Sequence, residues 1–145
     1  MPPQWEPEPA PEPTKLAVVV RDDLPTWQKL NVAAFTVSGI GTERPDLVGE
    51  AYVDGSEHTY LPMFTTPVRV HAGDAAALAR AFGRALSRRL AVAVFTDDLF
   101  TTGNDTDNRA AVRHVPTGEL ALAGFAVAGP RRDVDKALDK VRLHR

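Results

Sequence analysis

The chain has 145 residues, of which 43% are apolar and 25% are charged, and it contains no cysteine. This composition is typical of a folded globular domain with one hydrophobic core, and the lack of cysteine excludes disulfide frameworks, thiolate zinc sites and thiol nucleophiles. The net charge of −2 provides no general attraction to a phosphate backbone, so binding of RNA would need a local basic patch.

The amino terminus lacks the basic start and apolar segment of an export signal, and no apolar run is long enough to cross a bilayer. We therefore expect a cytoplasmic protein that does not associate with membranes. Residues 1–14 are rich in proline and glutamate and carry one aromatic residue, Trp5, so they bury too little apolar area to fold. The predicted organisation is a disordered tail at 1–14 and a single domain at 15–145.

The first half of the domain predicts a strand, a helix and a hairpin. Residues 16–20 form an apolar strand that we expect to be covered on both faces. Thr26 is placed to cap a helix that Gly39 or Gly41 would stop. Apolar residues recur in this helix at intervals of three and four positions, and they predict its packed side: Trp27, Leu30, Ala33, Ala34, Val37 and Ile40. Residues 51–61 predict a hairpin that turns at Asp54-Gly55-Ser56.

The second half predicts three more strands, at 67–71, 90–95 and 120–128. Asp74 is placed to cap a helix after the first of them, with a predicted buried side of Leu78, Ala81, Phe82, Ala85 and Leu86. A polar loop is predicted at 101–108, and a closing helix is predicted from the apolar stripe Val134, Leu138 and Val141.

This alternation implies a three-layer α/β/α domain with a mixed, mostly parallel sheet of about four strands and a small β-hairpin, because parallel neighbours require crossovers. Ligands of such sheets usually bind outside the carboxyl ends of the strands. Residues 21–24 and 96–102 therefore become candidate site loops.

Several motifs resemble known families. The run KLAVVVRDDLPTWQKLNVAAF at 15–35 resembles the opening of the type two peptidyl-tRNA hydrolases, VFTD at 94–97 resembles their strand-ending Asp, and the GP and LDKV of 129–141 resemble their closing stretch. LPTWQKLNVAAF, YLPMF, Pro67 and FTDDLFTTGNDTDN resemble more closely the uncharacterised family known as domain of unknown function two-thousand. Both resemblances imply a peptidyl-tRNA hydrolase II-like fold.

The first resemblance also implies a catalytic trio. Peptidyl-tRNA hydrolases cleave an ester with a Lys, an Asp and a Thr, and such a reaction requires an activated water and donors for an oxyanion. By resemblance these residues are Lys29, Asp97 and Thr101. Asp97 would activate water, Lys29 would stabilise negative charge, and Thr101 would position water or substrate, with an aminoacyl or peptidyl conjugate as the ester or amide cleaved.

An alternative hypothesis is a non-catalytic module that binds a small molecule or a protein partner in the same cleft. Phe35 stands where the hydrolases have a Gln, and Ser38 where a His is usual, so an RNA-facing helix edge becomes apolar. Trp27 and Phe35 suit an apolar or aromatic ligand better than a phosphate. The candidate ligand-binding residues are Arg21, Asp23, Trp27, Phe35, Asp98, Phe100, Thr102, Asn104 and Asn108.

Structural explanations stay open for the same residues, because carboxylates and hydroxyls at strand ends also serve turns, and an exposed helical lysine needs no function. The four histidines show no metal-ligand spacing, and no nucleotide-binding motif occurs. We therefore predict no metal and no cofactor. The apolar edge at 60–64 predicts pairing between subunits in a homodimer.

Overall fold

A five-stranded sheet forms the frame of the protein in a computed structural model that describes residues 12–145. The strands lie across the sheet in the order β5 (Ala91–Thr96), β6 (Leu122–Pro130), β1 (Thr14–Arg21), β4 (Val68–Gly73) and β7 (Arg142–Leu143). A separate hairpin consists of β2 (Tyr52–Val53) and β3 (Thr59–Tyr60), as predicted. The helices are α1 (Thr26–Glu43), α2 (Ala75–Ser87), α3 (Asp105–Arg113) and α4 (Arg131–Ala137).

The prediction of about four mostly parallel strands is wrong in number and direction. Only β1 and β4 pair in parallel, whereas β6 is antiparallel to both β1 and β5, and β7 is antiparallel to β4. The reason is that β6 returns between β1 and β5, and a residue pattern does not reveal this insertion. Because β1, β4 and β5 still run in one direction, their carboxyl ends share one edge of the sheet, and this edge brings the two candidate loops together.

Strand β1 is covered on both faces, as its apolar run predicted. Leu16, Val18 and Val20 pack with α1, whereas Ala17 and Val19 pack with α2 and α4, and all five are at most 1% exposed. A strand that is buried on both faces has no need of polar alternation. The helices therefore lie on both sides of the sheet.

Helix α1 differs from its prediction in its buried side and its ends. Its fully buried residues are Val32, Thr36 and Ile40, whereas Trp27 is 58% and Leu30 is 65% exposed. Pro25, not Thr26, occupies the capping position, and the helix continues through both predicted stop glycines. Gly39 instead permits close packing, because a Cβ atom there would lie 3.0 Å from that of Ala93 in β5.

Three further expectations are corrected. Leu86 is 40% exposed, since it lies off the buried stripe of α2. The predicted loop at 101–108 contains the first turn of α3, and the closing helix ends at Ala137, because the chain turns into β7. The predicted cap at Asp74 is confirmed: its carboxylate accepts a hydrogen bond from the Ala77 amide.

The ends of the described region complete the fold. Most of the predicted tail lies outside the described residues, while Thr14 already pairs with Pro130 in the sheet. Of the helices in residues 12–145, none combines the length and apolar character needed to cross a bilayer.

Candidate functional site

An ion pair joins the two candidate loops at the shared strand edge. Arg21, the last residue of β1, donates from Nη1 to both carboxylate oxygens of Asp97, at 2.8 and 3.0 Å, and to the carbonyl oxygen of Leu122 at 2.9 Å. Its Nε donates to Asp23 at 2.6 Å. Burial lowers the pKa of Arg21, but the two carboxylates outweigh this effect and raise it above the usual value. The pair therefore holds β1, β5 and β6 together.

A cavity of about 590 Å³ opens beside this pair. Its polar wall consists of Arg21 and four carboxylates, from Asp22, Asp23, Asp74 and Asp97, and the rest of the wall is mainly alanine and leucine. The Asp97 side chain is 43% exposed, so a ligand in this cavity, which we call the acidic cavity, has access to it. One carboxylate, that of Asp74, is already used as a helix cap.

An aromatic row runs along the same end of the molecule. Trp27 and Phe100 meet edge to face with ring centres 6.1 Å apart, Phe100 lies 4.8 Å from Phe95, and Phe95 lies 5.9 Å from Phe35. These are favourable spacings for aromatic pairs. Phe95 is buried, whereas Phe35 is 60% exposed. The row therefore reaches from the core to the surface.

The exposed end of the row lines a groove of about 430 Å³ between α1, β5 and α3. We call it the α3 groove. Its apolar lining includes Phe35, Ala93, Phe95, Leu99 and Val112, and its polar lining includes Asp105, Asn108, Arg109 and Arg113. Largely apolar walls with a few polar groups are typical of small-molecule sites.

Helix α3 is fixed over the groove by hydrogen bonds among predicted ligand-binding residues. The Asn104 side chain caps the helix by accepting from the Asp107 amide at 2.9 Å. The Thr102 hydroxyl lies within hydrogen-bonding distance of the Asn108 side-chain amide and of the carbonyl oxygen of Leu99, and its one hydrogen serves either of them. Asn104 and Thr102 thus hold the groove wall, whereas Asn108 itself lines the groove.

The predicted catalytic trio is not joined by any hydrogen bond within residues 12–145. Lys29 Nζ lies 3.2 Å from Nε2 of His144, just after β7, whereas Asp97 pairs with Arg21. The Thr101 hydroxyl donates to the backbone carbonyl of the exposed Asp98. The catalytic roles of Lys29, Asp97 and Thr101 remain a prediction.

Of the residues that line the α3 groove, Phe35 and Asn108 were predicted to bind a ligand, whereas those of β5 and the rest of α3 were not. Arg109, Val112 and Arg113 were not singled out, because residues 101–108 were interpreted as a loop and α3 was not predicted. A signal was present: Asn104 with Asp105 and Asp107 has the pattern of a helix cap and an acidic first turn. Within the described residues, no cluster of three or more His, Asp or Glu side chains is placed to hold a metal ion.

Fold and site together define a mixed α/β domain with an acidic cavity and an apolar groove at one end. Residues 14–145 match the family described as "Protein of unknown function (DUF2000)", and the chain belongs to this family. A solved structure of a protein of unknown function from Agrobacterium tumefaciens strain C58 is 38% identical, with a TM-score of 0.89, over 91% of this chain and 98% of that one. No curated protein gave a significant match.

Proposed function

We propose that the protein is a non-catalytic binding module whose α3 groove takes a small aromatic molecule with an acidic group. The observation that carries this proposal is the exposed ring of Phe35, which stands at the groove beside the buried ring of Phe95. A large aromatic side chain left in water is a source of binding energy, because covering it yields roughly 25 cal/mol per Å² of apolar surface.

The size and lining of the groove support an aromatic ligand. A volume of about 430 Å³ falls within the usual range for small-molecule pockets, about 300–1,000 Å³. The ring of a ligand would stack or pack edge to face on Phe35, while Leu99 and Val112 would cover its sides.

The charges at the groove support an acidic group on the ligand. Arg109 is paired with Asp105, whereas no ion pair within residues 12–145 includes Arg113. The guanidinium of Arg113 is therefore free to bind a carboxylate, and Asn108 lies close enough in the lining to assist.

The test is an NMR titration of the protein with naphthoate and with its neutral amide, naphthamide. We expect amide shifts concentrated at Phe35, Phe95, Leu99 and Val112, with naphthoate binding more tightly than naphthamide. In Arg113→Gln this preference disappears while naphthamide binding is retained. Equal affinity for the acid and the amide in the wild type would refute the acidic ligand class, and shifts outside the groove would refute the site.

Ester or amide hydrolysis on a peptidyl-tRNA hydrolase II-like fold is the second candidate. The observation in its favour is the half-exposed carboxylate of Asp97 in the acidic cavity. Arg21, rather than Lys29, would then supply the positive charge beside it. Turnover of a peptidyl-tRNA mimic that is lost in Asp97→Ala, with both proteins folded, would establish this activity, and no turnover by the wild type would reject that substrate.

A further inference from the structure

A third cavity, of about 450 Å³, lies at the opposite end of β1 from Asp97. Its polar lining includes Lys15 of β1, Arg69 and His71 of β4, and Arg131 of α4, and Leu143 of β7 closes one side. The function proposed above does not involve these residues. We call it the basic cavity.

His71 is a buried histidine with half of its hydrogen-bonding capacity unused. It is 7% exposed, and its Nδ1 lies 2.8 Å from the carbonyl oxygen of Val141. Because a carbonyl only accepts, Nδ1 carries the hydrogen and Nε2 is left with a lone pair. Within the described residues Nε2 has no hydrogen-bond partner, which is unusual for a buried polar atom.

The charges around His71 are unbalanced. On α4, Asp135 lies 2.5 Å from the ammonium of Lys15 and 3.8 Å from the guanidinium of Arg131, so one carboxylate serves two cations. On β4, Arg69 has no ion pair within residues 12–145. The neighbouring residue of β7, Leu143, is apolar. The basic cavity therefore has positive charge in excess when His71 is neutral.

We propose that the basic cavity binds a small tetrahedral oxyanion of the phosphate or sulfate type and that His71 takes up a proton as the anion binds. Such an anion offers several acceptor oxygens, which suit three cations converging from β1, β4 and α4. Protonated Nε2 becomes a donor, and a nearby anion offsets the repulsion between His71 and Lys15. Anion and proton thus stabilise each other's binding.

The electrostatics of the cavity agree with this coupling. Burial is the largest effect on the pKa of His71 and lowers it; the hydrogen bond to the Val141 carbonyl raises it, the charge of Lys15 lowers it and that of Asp135 raises it, so that the net shift is downward. The histidine is therefore neutral at neutral pH without an anion. A bound dianion adds a strong attraction for the proton and raises this pKa.

The test is an NMR titration of the four histidine rings in chloride and in sulfate at equal ionic strength. Sulfate is the probe because it keeps its charge across the range in which histidine titrates. We expect sulfate to raise the pKa of His71 by about one unit, equivalent to roughly tenfold tighter sulfate binding to the protonated form. The exposed rings of His58 and His114 serve as controls for a general effect of sulfate on the protein.

Two arginine variants separate a built site from general attraction of anions. Arg69→Gln, at the cavity, weakens sulfate binding about tenfold, the size expected for one charge-assisted contact, whereas Arg80→Gln, an exposed arginine on α2, has no effect. A titration with glycerol phosphate distinguishes a phosphate ester from free phosphate as the ligand. If glycerol phosphate binds at least as tightly as free phosphate, the site is assigned to phosphate esters; if it binds more weakly, the site is assigned to the free ion. An unchanged His71 pKa at high sulfate, or equal effects of the two variants, would overturn the proposal.

Discussion

Nη1 of Arg21 lies 2.8 Å from Oδ1 of Asp97, and this contact joins two loops that are 76 positions apart in the chain. The same nitrogen also donates to the Leu122 carbonyl oxygen, so a single side chain connects the ends of three strands. The side chain of Arg21 is 15% exposed and that of Asp97 is 43% exposed, so the pair is partly shielded from solvent and its hydrogen bonds are stronger than they would be in water.

Arg21→Gln is therefore expected to lower the free energy of unfolding by about 2 kcal/mol, because it leaves the Leu122 carbonyl and the Asp97 carboxylate without their donor. Urea unfolding followed by circular dichroism measures the change. The matched control is Arg80→Gln on the exposed side of α2, for which we expect less than about 0.5 kcal/mol. Equal effects of the two variants would show that the ion pair contributes nothing specific.

Gly124 of β6 is expected to be essential for the position of α1. A Cβ atom at this residue would overlap the carbonyl oxygen of Val19 and lie 2.5 Å from a methyl carbon of Val32. Gly124→Ala should lower the free energy of unfolding by about 3 kcal/mol, since neither neighbour can move without disturbing the core. Gly118→Ala meets no atom within 4 Å and should be almost neutral in the same urea experiment. A stable Gly124→Ala protein would contradict the close packing of α1.

Asn104→Ala removes the cap of α3 and should destabilise that helix by about 1 kcal/mol. Because no residue of α3 is buried, we expect faster amide hydrogen exchange in Asp105–Arg113 with little change elsewhere. Asp74→Ala removes the corresponding cap of α2 and should change exchange in α2 but not in α3. Unchanged exchange in α3 of Asn104→Ala would show that the cap does not hold the groove wall.

The stability of the protein should depend on the ionisation of His71. Burial lowers its pKa in the folded state below the ordinary value of 6.5, so the unfolded chain takes up a proton at a higher pH than the folded chain does. The contribution of neutral His71 to the free energy of unfolding is therefore fully present above pH 6.5. Below pH 6.5 the free energy of unfolding falls, by at most about 1.4 kcal/mol per pH unit.

Urea unfolding in chloride buffers from roughly pH 8 to pH 5.5, the range in which histidine titrates, measures this dependence. His71→Gln should flatten the curve, whereas His114→Gln, at an exposed position, should leave it unchanged. A wild-type curve that is flat across this range would contradict a depressed pKa. If the basic cavity binds an anion as proposed, addition of sulfate should reduce the loss of unfolding free energy at low pH.

Structure was predicted correctly from the sequence where a residue type, or a run of one type, is typical of a single structural role. The apolar run of β1 predicted a strand covered on both faces, and Asp74 predicted a cap, because these features depend on local chemistry. The direction of β6 could not be predicted, since an apolar run fits either orientation between two neighbours.

The candidate site was predicted only in part for a related reason. The two loops were expected at one edge, and the contact between Arg21 and Asp97 is consistent with that expectation. The contact of Lys29 with His144 depends on the short strand β7. A strand of two residues is too short to be predicted from a sequence pattern. Phe35 and Asn108 of the α3 groove were predicted, but its wall on α3 was not, because a helix with a polar first turn resembles a loop.

The most direct test of the proposed binding function compares the affinity for naphthoate of Phe35→Ala and Leu30→Ala, two variants of exposed apolar residues on α1. Both are expected to fold as the wild type does, because each removes a side chain that is mostly in solvent. If the α3 groove is the binding site, Phe35→Ala weakens binding about tenfold or more, as expected for loss of an aromatic contact, and Leu30→Ala leaves it unchanged. Equal affinities of the two variants and the wild type would contradict the proposal.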